Sequence, residues 1–316
     1  MTAYLLHGAT LTLAWFVVVN VVCACIAAWI ARRPLRTESP AFWFALRVAP
    51  AAAAVLFSLV LFVPSYSRYE PLDSLEGFDI TLTACAAIAL VFFAAAAARC
   101  VGAWRNAVRR VRCWMRSAQR LPIDAAVPAF VVDTPVPVMA LAGVVRPRLL
   151  VSRTLIDAFT SEELNAAVAH EIGHRRAFDN LKRLVMCAAP DALAFTSVGR
   201  ALERRWASAA EHAADRMSDD ERPSARWALA SALVKVARLT PTEPSASEPI
   251  STLLGGADIA SRVQRLLDDA PVAARPGSWT WVVVAGLATA VAASPLYAPA
   301  LRIVHVITEA VVHSLP

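Results

Sequence analysis

The sequence predicts a mostly helical α+β protein, in which a soluble-type domain with a small sheet is joined to about four transmembrane helices. Hydrophobic residues make up 58% of the 316 residues, and the mean hydropathy of +0.51 is too high for an ordinary soluble domain. Long apolar runs lie in the first hundred residues and again near the C-terminus. Between them, short β-type runs separated by prolines precede a well-capped helix.

The apolar runs are long enough to cross a hydrocarbon core of about 30 Å. We expect Arg47, near the start of the second run, to extend to the lipid interface. The predicted domains, in chain order, are 1–103 with spans at 7–31, 41–63 and 81–98, a basic interfacial segment at 104–120, the soluble-type domain at 121–277, and 278–316 with a fourth span at 279–298 and a short interfacial helix at 301–315.

Charges beside the spans predict the orientation of the chain. Arginines follow the first and third spans, whereas the loop between the second and third spans is acidic, with Glu70, Asp73, Glu76 and Asp79 against Arg68. The positive-inside rule then places the N-terminus outside and the residues after Arg99 in the cytoplasm. We therefore expect a multi-pass protein of the inner (plasma) membrane whose soluble-type domain faces the cytoplasm.

The basic segment has two interpretations. Its six arginines, without an intervening acid, could bind nucleic acid. Apolar side chains at helical spacing favour instead an interfacial helix that lies on anionic lipid; they are Val108, Val111, Trp114 and Met115. We therefore expect the lipid bilayer, and no nucleic acid, as a partner.

Three β-type runs open the soluble-type domain, at 129–132, 138–142 and 148–152. A capping box from Thr160 to Glu163 then starts a helix that extends to about Arg176.

This helix carries the H-E-x-x-H sequence, in which His170 and His174 frame Glu171. Four helical residues advance about 400°, so the two histidines lie on one face, one turn apart. Two imidazoles so placed can bind one Zn²⁺, and Glu171 lies where its carboxylate can reach a water on that metal. The sequence therefore predicts a zinc site with Glu171 as the general base.

A catalytic zinc site needs a third protein ligand. The sequence Glu211-His212-Ala213-Ala214-Asp215 offers two candidates, Glu211 and His212, whose side chains point about 100° apart on a helix. If Glu211 binds the metal, Asp215 lies one turn further on and can orient a ligand histidine. Asp179 has no role that the sequence reveals beyond capping the helix that follows it.

Residues 135–180, with the later Glu211 and Asp215, resemble the catalytic core of the BlaR/MecR-type membrane metallopeptidases, which are gluzincins related to the HtpX/CAAX-protease type. The shared motifs are Arg146-Pro147, Glu162-Glu163-Leu164, H-E-x-x-H, Arg175-Arg176 with Asp179-Asn180, and E-x-x-x-D. The resemblance implies a gluzincin-like domain with His170, His174 and Glu211 as zinc ligands and Glu171 as the base. It also implies that an edge strand pairs with an extended substrate; 138–142 is either that strand or an ordinary structural one.

The expected function is that of an integral-membrane zinc endopeptidase, a hydrolase of protein or peptide substrates. The substrate could be a cytoplasmic repressor, a membrane protein under quality control, or the chain itself, so the role lies in regulated proteolysis, signalling or quality control. The alternative is a non-enzymatic membrane signalling or scaffold protein with a structural or regulatory metal site. Glu171 argues against it, because a structural zinc site needs no base.

Overall fold

The computed structural model describes residues 1–35, 37–72, 79–123, 125–134, 136–218, 223–240, 259–268 and 279–314, without the side chains of 218, 223 and 279–293. Asp73 and Glu76 of the predicted acidic loop lie outside the described residues.

The described chain forms eleven α-helices and a four-stranded sheet, which confirms the mostly helical architecture. The elements are α1 (Thr2–Ala31), α2 (Pro40–Leu56), a π-helical segment (Phe57–Phe62), α3 (Val63–Tyr69), α4 (Ile80–Met115), β1 (Gln119–Arg120), β2 (Ala129–Val132), β3 (Met139–Ala142), β4 (Arg148–Ser152), α5 (Arg153–Ala158), α6 (Ser161–Arg176), α7 (Asp179–Ala188), a 3-10 helix (Ala192–Phe195), α8 (Ser197–Ser218), α9 (Pro223–Leu239), α10 (Ile259–Leu267) and α11 (Trp279–Ser314).

In the described part of the chain, four helical stretches are long and apolar enough to cross a membrane, which indicates a multi-pass membrane protein. They are Thr2–Ala31, Pro40–Tyr69, Ile80–Met115 and Ser294–Ser314. Two helices are longer than the sequence predicted, because α4 joins the third span to the basic segment and α11 joins the span predicted at 279–298 to the interfacial helix predicted at 301–315. Most of that predicted interfacial helix belongs to the stretch Ser294–Ser314. At 36 residues, α4 extends about 54 Å, well beyond a hydrocarbon core of about 30 Å.

The basic end of α4 packs against the sheet. Val111, Trp114 and Met115, which predicted contact with lipid, contact a cluster formed by Val132, Ala142 and Leu150. Contact of the arginines with lipid stays a prediction.

Helix α11 runs parallel to the second span. Its Tyr297 hydroxyl donates to the carbonyl oxygen of Val60 at 2.8 Å, and further along the Ser65 hydroxyl donates to the carbonyl oxygen of Leu301 at 2.6 Å. Because Pro64 has no N–H for the carbonyl four residues earlier, the Tyr297 hydroxyl supplies a donor there.

The sheet has the strand order β1-β2-β4-β3, with β2 parallel to β4 and the other pairs antiparallel. All three predicted strands are confirmed, and β3 lies at an edge. The Val138 carbonyl accepts from the Ser152 N–H at 2.7 Å, so 138, 140 and 142 bond towards β4. By alternation, the N–H and C=O groups of Met139 and Leu141 face away from β4.

Helix α6 is held between the sheet and α9. Apolar residues of α6, β3, β4 and α9 share one core cluster, in which Ala167, Leu149 and Leu229 are fully buried. The side chain of Glu163, which also completes the capping box, accepts from Lys235 Nζ at 2.6 Å and from the Ser231 hydroxyl at 2.7 Å. These contacts fix the start of the helix that carries H-E-x-x-H.

The first three spans each contribute one polar side chain to the segment that connects α7 to α8. The Asn20 amide bonds to Pro190 and Ala192, and the Arg99 guanidinium donates to the carbonyl oxygens of Cys187 and Ala189.

Arg47 forms the third connection. Its guanidinium lies 2.7 Å from the Asp191 carboxylate, and both side chains are at most 1% exposed; it also lies 2.8 Å from Glu203. The expectation that Arg47 extends to the interface is therefore wrong. Its partners lie 144 and 156 residues away in the chain, so the local sequence does not reveal them.

We expect Arg47→Met to lower the free energy of unfolding by about 3–5 kcal/mol, because it leaves the Asp191 carboxylate buried without its cation. Thermal unfolding of the purified protein in detergent measures this change. Arg216→Met is the matched control, since Arg216 and its partner Glu38 are 41% and 58% exposed; it should cost less than about 1 kcal/mol. Equal effects of the two substitutions would contradict a buried ion pair.

Candidate metal centre

The H-E-x-x-H residues lie on the buried side of α6. His170 and Glu171 have no exposed surface, and His174 is 3% exposed. The predicted capping box is present, with the Thr160 hydroxyl and the Glu163 carboxylate each accepting from the other's backbone N–H. The two histidines therefore sit in the second half of a helix with a fixed start.

Gly173 allows helix α8 to approach this face. A Cβ atom at Gly173 would lie 3.3 Å from the Cα and 3.4 Å from the Cβ of Ala214, closer than most side chains come. This close contact brings Glu211, one turn earlier on α8, to the two histidines.

His170, His174 and Glu211 form a compact triangle of possible ligand atoms. The two Nε2 atoms lie 3.2 Å apart. One Glu211 oxygen is 3.4 Å from Nε2 of His170, and the other is 3.5 Å from Nε2 of His174.

These separations fit a zinc ion. Ligands at 2.0–2.1 Å in tetrahedral geometry are about 3.3–3.4 Å apart, close to each side of the triangle. Two imidazole nitrogens and one carboxylate are a common zinc ligand set that leaves a fourth position for water. The three residues can therefore hold the metal that the sequence predicts.

Each histidine is held by a carboxylate on its other ring nitrogen. Nδ1 of His170 lies 2.9 Å from Asp215, and Nδ1 of His174 lies 2.8 Å from Asp179. A proton on Nδ1 shared with a carboxylate leaves the lone pair of Nε2 free to bind a metal. Asp215 thus lies where the sequence placed it, whereas the contact of Asp179 was not predicted.

The contact of Asp179 depends on the sharp junction between α6 and α7. Phe178 adopts the left-handed conformation, with φ of 56°, and its ring is 67% exposed. The turn reverses the chain so that Asp179 points back at His174, five residues earlier. A non-glycine residue in this conformation costs roughly 1–2 kcal/mol, which the surrounding contacts must offset.

Charges in the site shift the pKa values of its groups. Burial lowers the pKa of His174, but hydrogen bonds to Asp179 and Glu211 outweigh it and raise this pKa to about 10. Burial raises the pKa of Asp215, but His170 and Arg262 outweigh it and lower this pKa to about 2. Burial also raises the pKa of Glu211, and the two histidines with Arg262 hold it well below its usual range. Both carboxylates are therefore ionised at neutral pH.

Arg262 of α10 joins the two acids of α8. Its guanidinium bonds in a bidentate manner to Asp215, at 2.6 and 2.8 Å, and lies 3.0 Å from an oxygen of Glu211. It is 3% exposed. The sequence gives no reason to select Arg262 over Arg265.

Glu171 contacts the edge strand. Its carboxylate accepts from the backbone N–H of Leu141 at 3.1 Å, and the Asn180 amide donates to the carbonyl oxygen of Leu141 at 2.8 Å. The outward-facing groups of Leu141 are thus bonded to residues of α6 and α7. The edge of β3 therefore lies directly beside Glu171.

His212, the alternative third ligand, lies on another face of α8. Its Nδ1 is 2.9 Å from the guanidinium of Arg265, and the ring lines a surface cavity of about 240 Å³ with Glu38 and Trp43. The structure thus brings Glu211, rather than His212, to the two histidines.

Residues 114–253 match the sequence model of peptidase family M48. The protein is a metallopeptidase. The match covers less than half of the chain, includes the whole His170, His174 and Glu211 triangle, and ends before Arg262. It supports a place among the M48 zinc metallopeptidases, which depend on zinc in general. No curated protein matches the chain.

We expect Asp179→Asn in this metallopeptidase to weaken zinc binding by about 10–100-fold, because the neutral amide holds the His174 ring less firmly. Competition with a chromophoric chelator measures the affinity. Glu162→Gln is the matched control, since Glu162 lies exposed in the first turn of α6 and should keep the wild-type affinity. Equal affinities of Asp179→Asn and this control would exclude the assigned role of Asp179.

Proposed function

We propose that the protein is an integral-membrane zinc endopeptidase with His170, His174 and Glu211 as zinc ligands. The short distances among the three side chains carry this proposal: 3.2 Å between the two Nε2 atoms, and 3.4 and 3.5 Å from these atoms to the two oxygens of Glu211. The burial of the three side chains supports the proposal, because attraction between a metal ion and the Glu211 carboxylate is stronger in a site of low dielectric constant. A zinc ion at this position supplies Lewis acidity and lowers the pKa of its water towards about 7.

Glu171 is the proposed general base. The residue is adjacent in sequence to His170, and its side chain is fully buried. It accepts a proton from the attacking water and passes that proton to the leaving amine. Before a substrate binds, the N–H of Leu141 holds the carboxylate in place; a substrate strand that pairs with Leu141 must replace this bond.

The substrate is proposed to bind as an extended strand along the edge of β3. Backbone pairing at a sheet edge holds peptides with limited side-chain selectivity. The contact between Leu141 and Glu171 supports this location, since a strand at that edge passes beside the base. All four residues of β3 are buried, so a substrate must displace what covers this edge.

The peptidase domain is proposed to face the cytoplasm from the inner (plasma) membrane. The domain lies at one end of the spans, where Ala27, Ala31 and Trp43 pack with Leu202 and Trp206. The arginines at the end of α4 are at this same end, and the positive-inside rule favours the cytoplasmic side for them.

A role in regulated proteolysis of the BlaR/MecR or HtpX kind is the finer form of this proposal. The bonds of Asn20, Arg47 and Arg99 to the segment between α7 and α8 support it. They connect three spans to the two helices that carry Asp179 and Glu211, so a movement of the spans would reach the site. A repressor, another membrane protein or the chain itself fits this geometry as substrate.

We expect Glu171→Gln to retain zinc and to lower peptide cleavage by about 10²–10⁴-fold, because the amide cannot accept the proton. The purified proteins are assayed for bound zinc, for self-cleavage on a gel and for cleavage of an unfolded protein, each with and without a chelator. Glu162→Gln should behave as wild type.

Three outcomes would contradict parts of this proposal. Zinc in all variants without any cleavage would favour the non-enzymatic signalling or scaffold protein. Full activity of Glu171→Gln would exclude Glu171 as the base. Absence of zinc from the wild type would exclude the metal centre at His170.

A further inference from the structure

A second group of metal-ligating side chains lies where α3 ends beside α11. Ligand atoms of Glu70, His305 and Glu309 lie within 4.8 Å of one another. Glu70 ends the second span, 235 residues before His305 in the sequence. Glu309 lies one turn after His305 on α11, and the fold brings Glu70 to both residues.

Contacts along the two helices fix this meeting point. Helix α11 contacts the second span at Val60, then at Ser65, and one turn later the ring of His305 stacks on that of Tyr69. The ring centroids are 5.6 Å apart and the planes differ by 29°. Nearby, the Trp15 indole N–H donates to the Thr308 hydroxyl at 3.1 Å. The imidazole is therefore held in position rather than left as a free surface group.

The three side chains are chemically suited to a divalent cation. Two carboxylates within this distance repel each other, and a cation between them offsets the repulsion. Glu309 also lies 3.8 Å from Nδ1 of His313. Ligand atoms of a tetrahedral Zn²⁺ are about 3.3–3.4 Å apart, and ligand atoms on opposite sides of a larger ion such as Ca²⁺ are about 4.8 Å apart. The limit of 4.8 Å between the three ligand atoms therefore allows either ion. An imidazole among the ligands favours a transition metal such as zinc.

We propose that Glu70, His305 and Glu309 form a second divalent-metal site, which joins the second span to α11. The site lies at the end of the spans where α1 begins, as the packing of Tyr4, Tyr66 and Val312 shows. The peptidase domain lies at the other end. The two metal sites are therefore on opposite sides of the membrane-spanning region, and neither needs the other for its chemistry.

A metal ion at this second site would connect α11 to the second span. Helix α11 follows the peptidase domain in sequence, and a metal bridge fixes it to the second span, which carries Arg47. Binding of a divalent ion on the far side therefore stabilises the arrangement of the two helices that lead to the peptidase domain.

The number of zinc ions bound to the full-length protein in detergent tests the proposal. Each variant is treated with chelator, titrated with Zn²⁺ and analysed for bound metal. We expect two zinc ions in the wild type, one in His305→Ala, one in His170→Ala and none in the double variant. Glu309→Gln, which preserves the size of the side chain, should bind one zinc ion fewer than the wild type. Val306→Ala is the matched control on α11, where Val306 is 59% exposed, and should keep two.

The variants separate this site from the peptidase site. If His305→Ala and Glu309→Gln each still bind two zinc ions, the second site is excluded. It is also excluded if the wild type binds one zinc ion and His170→Ala binds none. A third outcome is a single zinc ion in the wild type that is still bound by His170→Ala but lost in His305→Ala. This outcome would support the second site and contradict the peptidase metal centre. The unfolding temperature provides a second measurement. Zn²⁺ should raise it in His170→Ala, which keeps the second site, and should leave it unchanged in the double variant.

Discussion

The contact between each of the two proposed ligand histidines and a carboxylate is the constraint on which the site depends. An imidazole has two nitrogens, and it binds metal in a fixed direction only when the other nitrogen is held. Asp215 holds His170, and Asp179 holds His174. These carboxylates lie on α8 and α7, whereas the histidines lie on α6. The geometry of one metal therefore requires three helices to keep their positions, and Arg262 adds α10 to the set.

The same helices are attached to the membrane-spanning region. The segment between α7 and α8 forms polar contacts with Asn20, Arg47 and Arg99, one from each of the first three spans. A charged pair such as Arg47 and Asp191 is stable in a buried position only while its partners stay together. The spans therefore do more than anchor the peptidase domain, because their packing also determines where α7 and α8 lie. A change in span packing has a direct structural route to the ligands.

Sequence reasoning succeeded where one helical turn or one strand contains the whole signal. The capping box at Thr160 and the three strands depend on residues a few positions apart, and both are confirmed. Sequence reasoning did not find partners that only the path of the folded chain brings together. Asp179 lies five residues from His174, but only the left-handed turn at Phe178 reveals why they meet. Arg47 was assigned to the lipid interface because Asp191, 144 residues later, cannot be recognised as its partner from local hydropathy.

The balance of charge explains why this arrangement requires a cation. Glu171, Glu211, Asp215 and Asp179 bring four carboxylates to the two histidines, against the positive charges of Arg262 and Lys182. With neutral imidazoles, two negative charges remain in a buried site, and one divalent ion would cancel them. The raised pKa values of His170 and His174 have the same origin, because two protons restore the balance when no metal does. At the proposed metal site, protons and zinc would therefore compete, and the carboxylates that hold His170 and His174 also create the charge that would attract a metal.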